Sequence, residues 1–140
     1  MAYQIKKDNE VVEELEFLDN NNEVVKKINV KINIDKIASE YRQRKVEITE
    51  AQQKINKGED DAVELFGVAI INMFKTVFGE ENTVAILEYF EGKYTDMLTN
   101  CIPFIEQVIQ PAIEKVVKDK KQILANNMNL NRKQKKSLGL

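Results

Sequence analysis

VELFGVAIINMFKTVF, residues 63–78, is the stretch on which the fold turns. Val63, Phe66, Gly67, Ile70, Ile71, Phe74, Val77 and Phe78 recur at intervals of three and four, the spacing of one face of an α-helix. No other segment is so rich in large apolar side chains, so this face predicts the central helix of a mostly α-helical core. Asp60 and Asp61 precede it, where anionic groups suit the positive end of the helix dipole. Gly67 costs about 1 kcal/mol against alanine in a helix interior, which predicts the close approach of another helix there. Gly79 predicts the helix end.

On the N-terminal side, Asp35 is the expected cap of a helix that runs to about Asn56 and stops at Gly58. Its apolar residues form a thin seam of Ile37, Tyr41, Ile48 and Ile55, with Val46 off the line. A seam this thin belongs to a surface helix or borrows a partner, which makes Ile37, Tyr41 and Ile48 candidates for contact with a second copy of the chain. Further upstream, Ile28, Val30, Ile32 and Ile34 alternate with Asn29, Lys31 and Asn33, the pattern of a half-buried strand. Leu15 and Phe17 alternate more weakly with Glu14 and Glu16. Asp19, Asn20, Asn21 and Asn22 lie between the two and favour a turn. A β-hairpin over residues 12–34 follows. A lone hairpin is marginal in water and must pack on the helices or on a neighbour.

On the C-terminal side, Asn82 or Thr83 is the expected cap of a short helix closed by Gly92, and Thr95 or Asp96 that of a longer one. Pro103 and Pro111 fall inside the longer run, which predicts kinks or breaks near Asn100 and Gln110. Periodicity fades after Leu124. The expectation is one α+β domain spanning residues 1–140. It is mostly helical, with a small N-terminal hairpin, a compact bundle of about four helices over 35–125 with a kinked C-terminal helix, and a flexible basic tail over 126–140.

The 140 residues contain no histidine and one cysteine, Cys101. Without histidine, most acid–base and metal chemistry at neutral pH is lost, and no metal ion or other cofactor is expected. The carboxylate pairs Glu13–Glu14, Asp60–Asp61 and Glu80–Glu81 sit at turns or helix starts, where capping explains them. The five glycines are scattered singly and build no phosphate cradle. Cys101 has apolar neighbours and reads as a small buried hydrophobe of a reducing compartment. The inventory points to a binding protein, not an enzyme, made in the cytosol, with no signal peptide and no membrane span. Acidic residues crowd the start of the chain and basic ones the end. Solvated termini are the simplest reading; attraction between subunits and attraction of the basic tail to an acidic partner are the others.

The stretch NMFKTVFGEENTVAILEYFEGKYTDMLTNCIPFI, residues 72–105, resembles the tail assembly chaperones of long-tailed phages and prophages of Gram-positive bacteria. The likeness is strongest at Phe78-Gly79-Glu80-Glu81-Asn82 and at Pro103-Phe104-Ile105, and extends over about residues 10–125 through the hairpin, the helical body and the polar end. It implies a chaperone that coats the tape measure protein, keeps it soluble, helps deliver tail tube subunits, and leaves before the virion matures. Its place would be the cytoplasm of the bacterial host. It further implies spiral homo-oligomers and, in many members, a longer form made by ribosomal frameshifting. The family has no catalytic residues.

A chaperone of this kind needs an apolar groove that binds many sequences loosely. Tyr89, Phe90, Tyr94, Met97 and Phe104 are the candidate client-binding residues, with plain core positions as the alternative for each. Two further functions stay open. One is a small nucleic-acid-associated regulator using Arg132, Lys133, Lys135 and Lys136, although that tail lacks aromatics for base stacking and nucleic acid is not the expected partner. The other is a structural tail component.

Overall fold

The computed structural model describes residue 2 and residues 9–130, with side chains placed through residue 126. Strands β1 (Glu10–Leu18) and β2 (Val24–Asn33) form an antiparallel hairpin. Helices α1 (Ile34–Asn56), α2 (Ala62–Phe78), α3 (Glu80–Tyr89) and α4 (Tyr94–Phe104) follow, then a π-helical turn (Ile105–Ile109) and α5 (Gln110–Leu130). Because α4, the π turn and α5 are joined end to end, the body is a bundle of four helices carrying a small N-terminal hairpin. The fold class is as the sequence predicts. The residues of the tail beyond 130 lie outside those described, whereas residues 126–130 continue the last helix. None of the described helices is long and apolar enough to cross a membrane.

The hairpin turn is built by Asp19, whose carboxylate accepts from the amides of Asn21 at 2.8 Å and Glu23 at 3.0 Å, while Asn22 takes the left-handed conformation at φ 62°. β1 begins at Glu10, earlier than the alternation suggests. β2 turns Ile28, Val30 and Ile32 onto the helices, and all three are buried. Ile34 continues that alternation in sequence but is the first residue of α1, fully buried. The cap of α1 is therefore Asn33, whose side-chain oxygen accepts from the Lys36 amide at 3.1 Å. Asp35, the expected cap, instead ties three segments together. Its carboxylate accepts from the Asn9 amide at 2.9 Å and pairs with Lys120 of α5 at 3.6 Å.

The thin seam of α1 is covered within the chain by α2 and α5. Tyr41 is buried, and its hydroxyl donates to Gln110 Oε1 at 3.3 Å, an acceptor shared with Lys45 Nζ at 3.1 Å. Burial, with Glu106 and Glu114 nearby, holds the Tyr41 phenol above its usual range. Ile37 and Ile48 are partly buried against the same core. Of the three residues nominated for contact with a second copy, Tyr41 is buried within the chain, and Ile37 and Ile48 keep part of their surface exposed.

Gly79 joins α2 to α3 without a loop, at φ 84° and ψ 165°, a region almost restricted to glycine. Asn82 and Thr83 do not cap α3, which starts at Glu80. They reach back to the end of α2: Asn82 Nδ2 donates to the Phe78 carbonyl at 3.1 Å and Thr83 Oγ1 to that of Gly79 at 2.7 Å. Likewise α4 starts at Tyr94, ahead of Thr95 and Asp96, with no side-chain cap bond.

The last helix is irregular just before Gln110, where one of the two breaks was expected, and runs through Asn100 without one. Met97, Cys101, Ile105, Ile109 and Ile113 are all buried and lie four residues apart. On a regular helix, steps of four drift by about 40° each, so this stripe would leave the core within a few turns. The π turn, where the Gln110 amide donates to the Ile105 carbonyl, takes up the drift and keeps Ile109 and Ile113 facing inward.

Candidate functional site

A surface pocket of about 300 Å³ opens where the end of β1 meets the ends of α2, α3 and α4. Each element contributes for a local reason. Alternation on β1 places Leu15 and Phe17 on the inner face of the hairpin. Phe78 is the last residue of α2, held there by the Gly79 bend. Tyr89 and Phe90 close α3, and Cys101 and Phe104 lie one turn apart on α4. Five of the lining side chains are aromatic.

The rings interlock. Phe17 lies 4.9 Å from Tyr89 and 6.4 Å from Phe90, and Tyr89 meets Phe90 edge-on at 4.8 Å. Across the pocket, Phe78 stacks on Phe104 with centroids 5.9 Å apart. Pairs in these geometries contribute about 0.5–1.5 kcal/mol beyond their area. The Tyr89 hydroxyl donates to the Leu18 carbonyl, which pins the hairpin tip to α3. Beyond this pin an extra residue, Val25, bulges β2 opposite the junction of Phe17 and Leu18. Leu18, Val24 and Val25 are 41%, 42% and 56% exposed, so the apolar lining continues onto the tip of the hairpin.

Glu14, Glu16 and Asn100, all exposed, form the polar part of the lining. Glu14 pairs with Lys27 at 3.8 Å across the hairpin. Desolvation pushes the Cys101 thiol up to about 11, the opposite of what a nucleophilic cysteine needs. No buried side-chain polar atom among the described residues lacks a hydrogen-bond partner, so nothing polar is aimed unpaired into the pocket. Also among the described residues, no three acidic or cysteine side chains group as metal ligands would. The arrangement suits shape-tolerant binding of apolar side chains beneath an acidic lip.

Of the five residues nominated from sequence, Tyr89, Phe90 and Phe104 come together here. Met97 does not; it is fully buried in the core. Tyr94 does not line this pocket either. A β-carbon added to Gly67 would stand 2.9 Å from its ring, so the close approach implied by Gly67 is that of a tyrosine. Tyr94 and Gly67 border a separate groove with Leu87 and Ile71. Phe17, Leu15 and Phe78 were missed. Phe17 was within reach of sequence reasoning, as the one aromatic of a hairpin that had to pack on something. Phe78 was hidden by its place on the core face of α2. No protein-family model, curated protein or solved structure matches this chain.

Proposed function

We propose that this protein is a phage or prophage tail assembly chaperone, that it is not an enzyme, and that its client site is the aromatic pocket between hairpin, α3 and α4. The observation that carries the reading is the stack of Phe78 on Phe104. These two residues belong to the two short segments in which the family resemblance is strongest, and they meet at one apolar pocket. A tape measure protein is long and rich in apolar helix faces that must be covered before assembly. A groove lined by rings and a polarisable sulfur grips such faces through many weak contacts, without a fixed hydrogen-bond code. Under this reading the chain acts in the cytoplasm of the bacterial host, self-associates, helps bring tail tube subunits to the tape measure protein, and is absent from the mature virion.

The test is co-expression with the tape measure protein encoded beside it. The wild-type chain is expected to raise the client's soluble fraction and to co-purify in many copies per client. Phe90→Ser, at a half-buried position, is expected to lose both while keeping its helical circular dichroism. A client equally insoluble with and without the wild-type chain overturns the proposal.

A further inference from the structure

Phe78 also borders a second cleft, of about 560 Å³, between β2, the start of α1 and the end of α2. Four cations line it, Lys31, Lys36, Arg44 and Lys75, against one carboxylate, Glu40. The chain as a whole carries a net charge of -2, so the cleft is a local reversal of sign.

The charges are not equally available. Arg44 is engaged: Nη1 donates to both oxygens of Glu47 at 3.0 and 3.2 Å, Nη2 to Glu40 at 3.2 Å, and Nε to Thr76 Oγ1 at 3.3 Å. Glu40 is neutralised by the same guanidinium and accepts from the Thr76 hydroxyl at 3.1 Å. Lys31 makes a loose, exposed pair with Glu10 at 3.9 Å. Lys36 and Lys75 are exposed and form no ion pair among the described residues. Two unpaired ammonium groups therefore face one cleft from different helices, and a third is held weakly.

We infer that this cleft is a binding site for an acidic, amphipathic peptide segment, in which carboxylates reach Lys36, Lys75 and Lys31 while an apolar side chain rests on the floor. Ile37, half-buried, gives the cleft its accessible apolar surface, while Val77 and Phe78 behind it are buried. Lysine ammonium groups are mobile point charges that suit carboxylates spaced along a chain. A compact phosphate is better served by an arginine fork, and the one fork here is occupied. Nucleic acid fits less well, because the only aromatic in the lining, Phe78, is buried and offers no face to a base. The inference does not rest on the chaperone reading. It places a cationic cleft next to the acid-lipped pocket, with Phe78 lining both.

The experiment is fluorescence anisotropy of the full-length protein with a fluorescein-labelled twelve-residue peptide of glutamate and leucine, without any other partner. Saturable binding is expected, weakening on the order of tenfold between low and physiological salt as the charges are screened. The double variant Lys36→Glu/Lys75→Glu is expected to lose binding more than tenfold, with unchanged circular dichroism and Tm. A control reversal on α5, Lys118→Glu/Lys121→Glu, keeps it. The proposal is overturned if the peptide does not bind, if its glutamine analogue binds equally well, or if the double variant binds like wild type. Tighter binding of a single-stranded oligonucleotide at the same two lysines also overturns it, in favour of a nucleic-acid site.

Discussion

Glu91 sits at φ 55°, in the left-handed region, where its amide donates to the Glu88 carbonyl and the next amide, of Gly92, to that of Leu87. This is the double bond pattern that ends many helices, but with glycine one position later than the conformation wants it. Glu91→Gly is expected to raise unfolding stability by about 1 kcal/mol, the usual cost of a side chain in that conformation, read as a higher urea midpoint at constant slope. Residue-level detail was the part of the structure least legible in sequence. Asp35, Asn82, Thr83 and Thr95 all have the chemistry of a cap, and none acts as one for the helix assigned to it. Short polar side chains bond whichever backbone group is nearest, and that depends on where the chain turns. At Gly79 it turns with no loop at all.

Between elements, the contact of Gly67 with the Tyr94 ring locks α2 against the start of α4. Adding a methyl group at Gly67 improves helix propensity by about 1 kcal/mol but intrudes on the ring. Gly67→Ala is therefore expected to stabilise the protein in a Tyr94→Ala background and to lose that gain, or destabilise, with Tyr94 present. A double-mutant cycle by chemical denaturation should give a coupling on the order of 1 kcal/mol or more, and strict additivity would remove the contact from the account. The elements themselves were legible because α2 and β2 each bury a single periodic face. The π turn was partly legible as well. A stripe at Met97, Cys101, Ile105, Ile109 and Ile113 cannot stay on one side of a regular helix, and of the two places to which the prolines drew attention, the one near Gln110 is irregular and the one near Asn100 is not.

At the scale of the molecule, the hairpin is part of the core and not an appendage. Phe17, Ile28, Val30 and Ile32 join the same buried cluster as Ile70, Phe74 and Ile109. Truncation of Ile32 to alanine is expected to cost about 2–5 kcal/mol, as for a core helix residue. Native-state hydrogen exchange should find the Val30 amide as protected as those in the middle of α2; exchange of the hairpin well before α2 would contradict a single cooperative unit. The aromatic pocket was only half legible for this reason. Its α3 and α4 residues could be nominated from an aromatic cluster in one stretch of sequence. Its other wall comes from β1 and the end of α2, which only the tertiary fold brings near.

The lone thiol also makes the pocket measurable without a label. Cys101 is 8% exposed and lines the wall. With its pKa near 11, it should react with a disulfide reagent at pH 8 on the order of a hundredfold more slowly than a free cysteine. The rate should climb about tenfold per pH unit until the thiol titrates. Whatever fills the pocket should slow this clock further, so the ticking of one sulfur atom in the native sequence would time the arrival and departure of a guest.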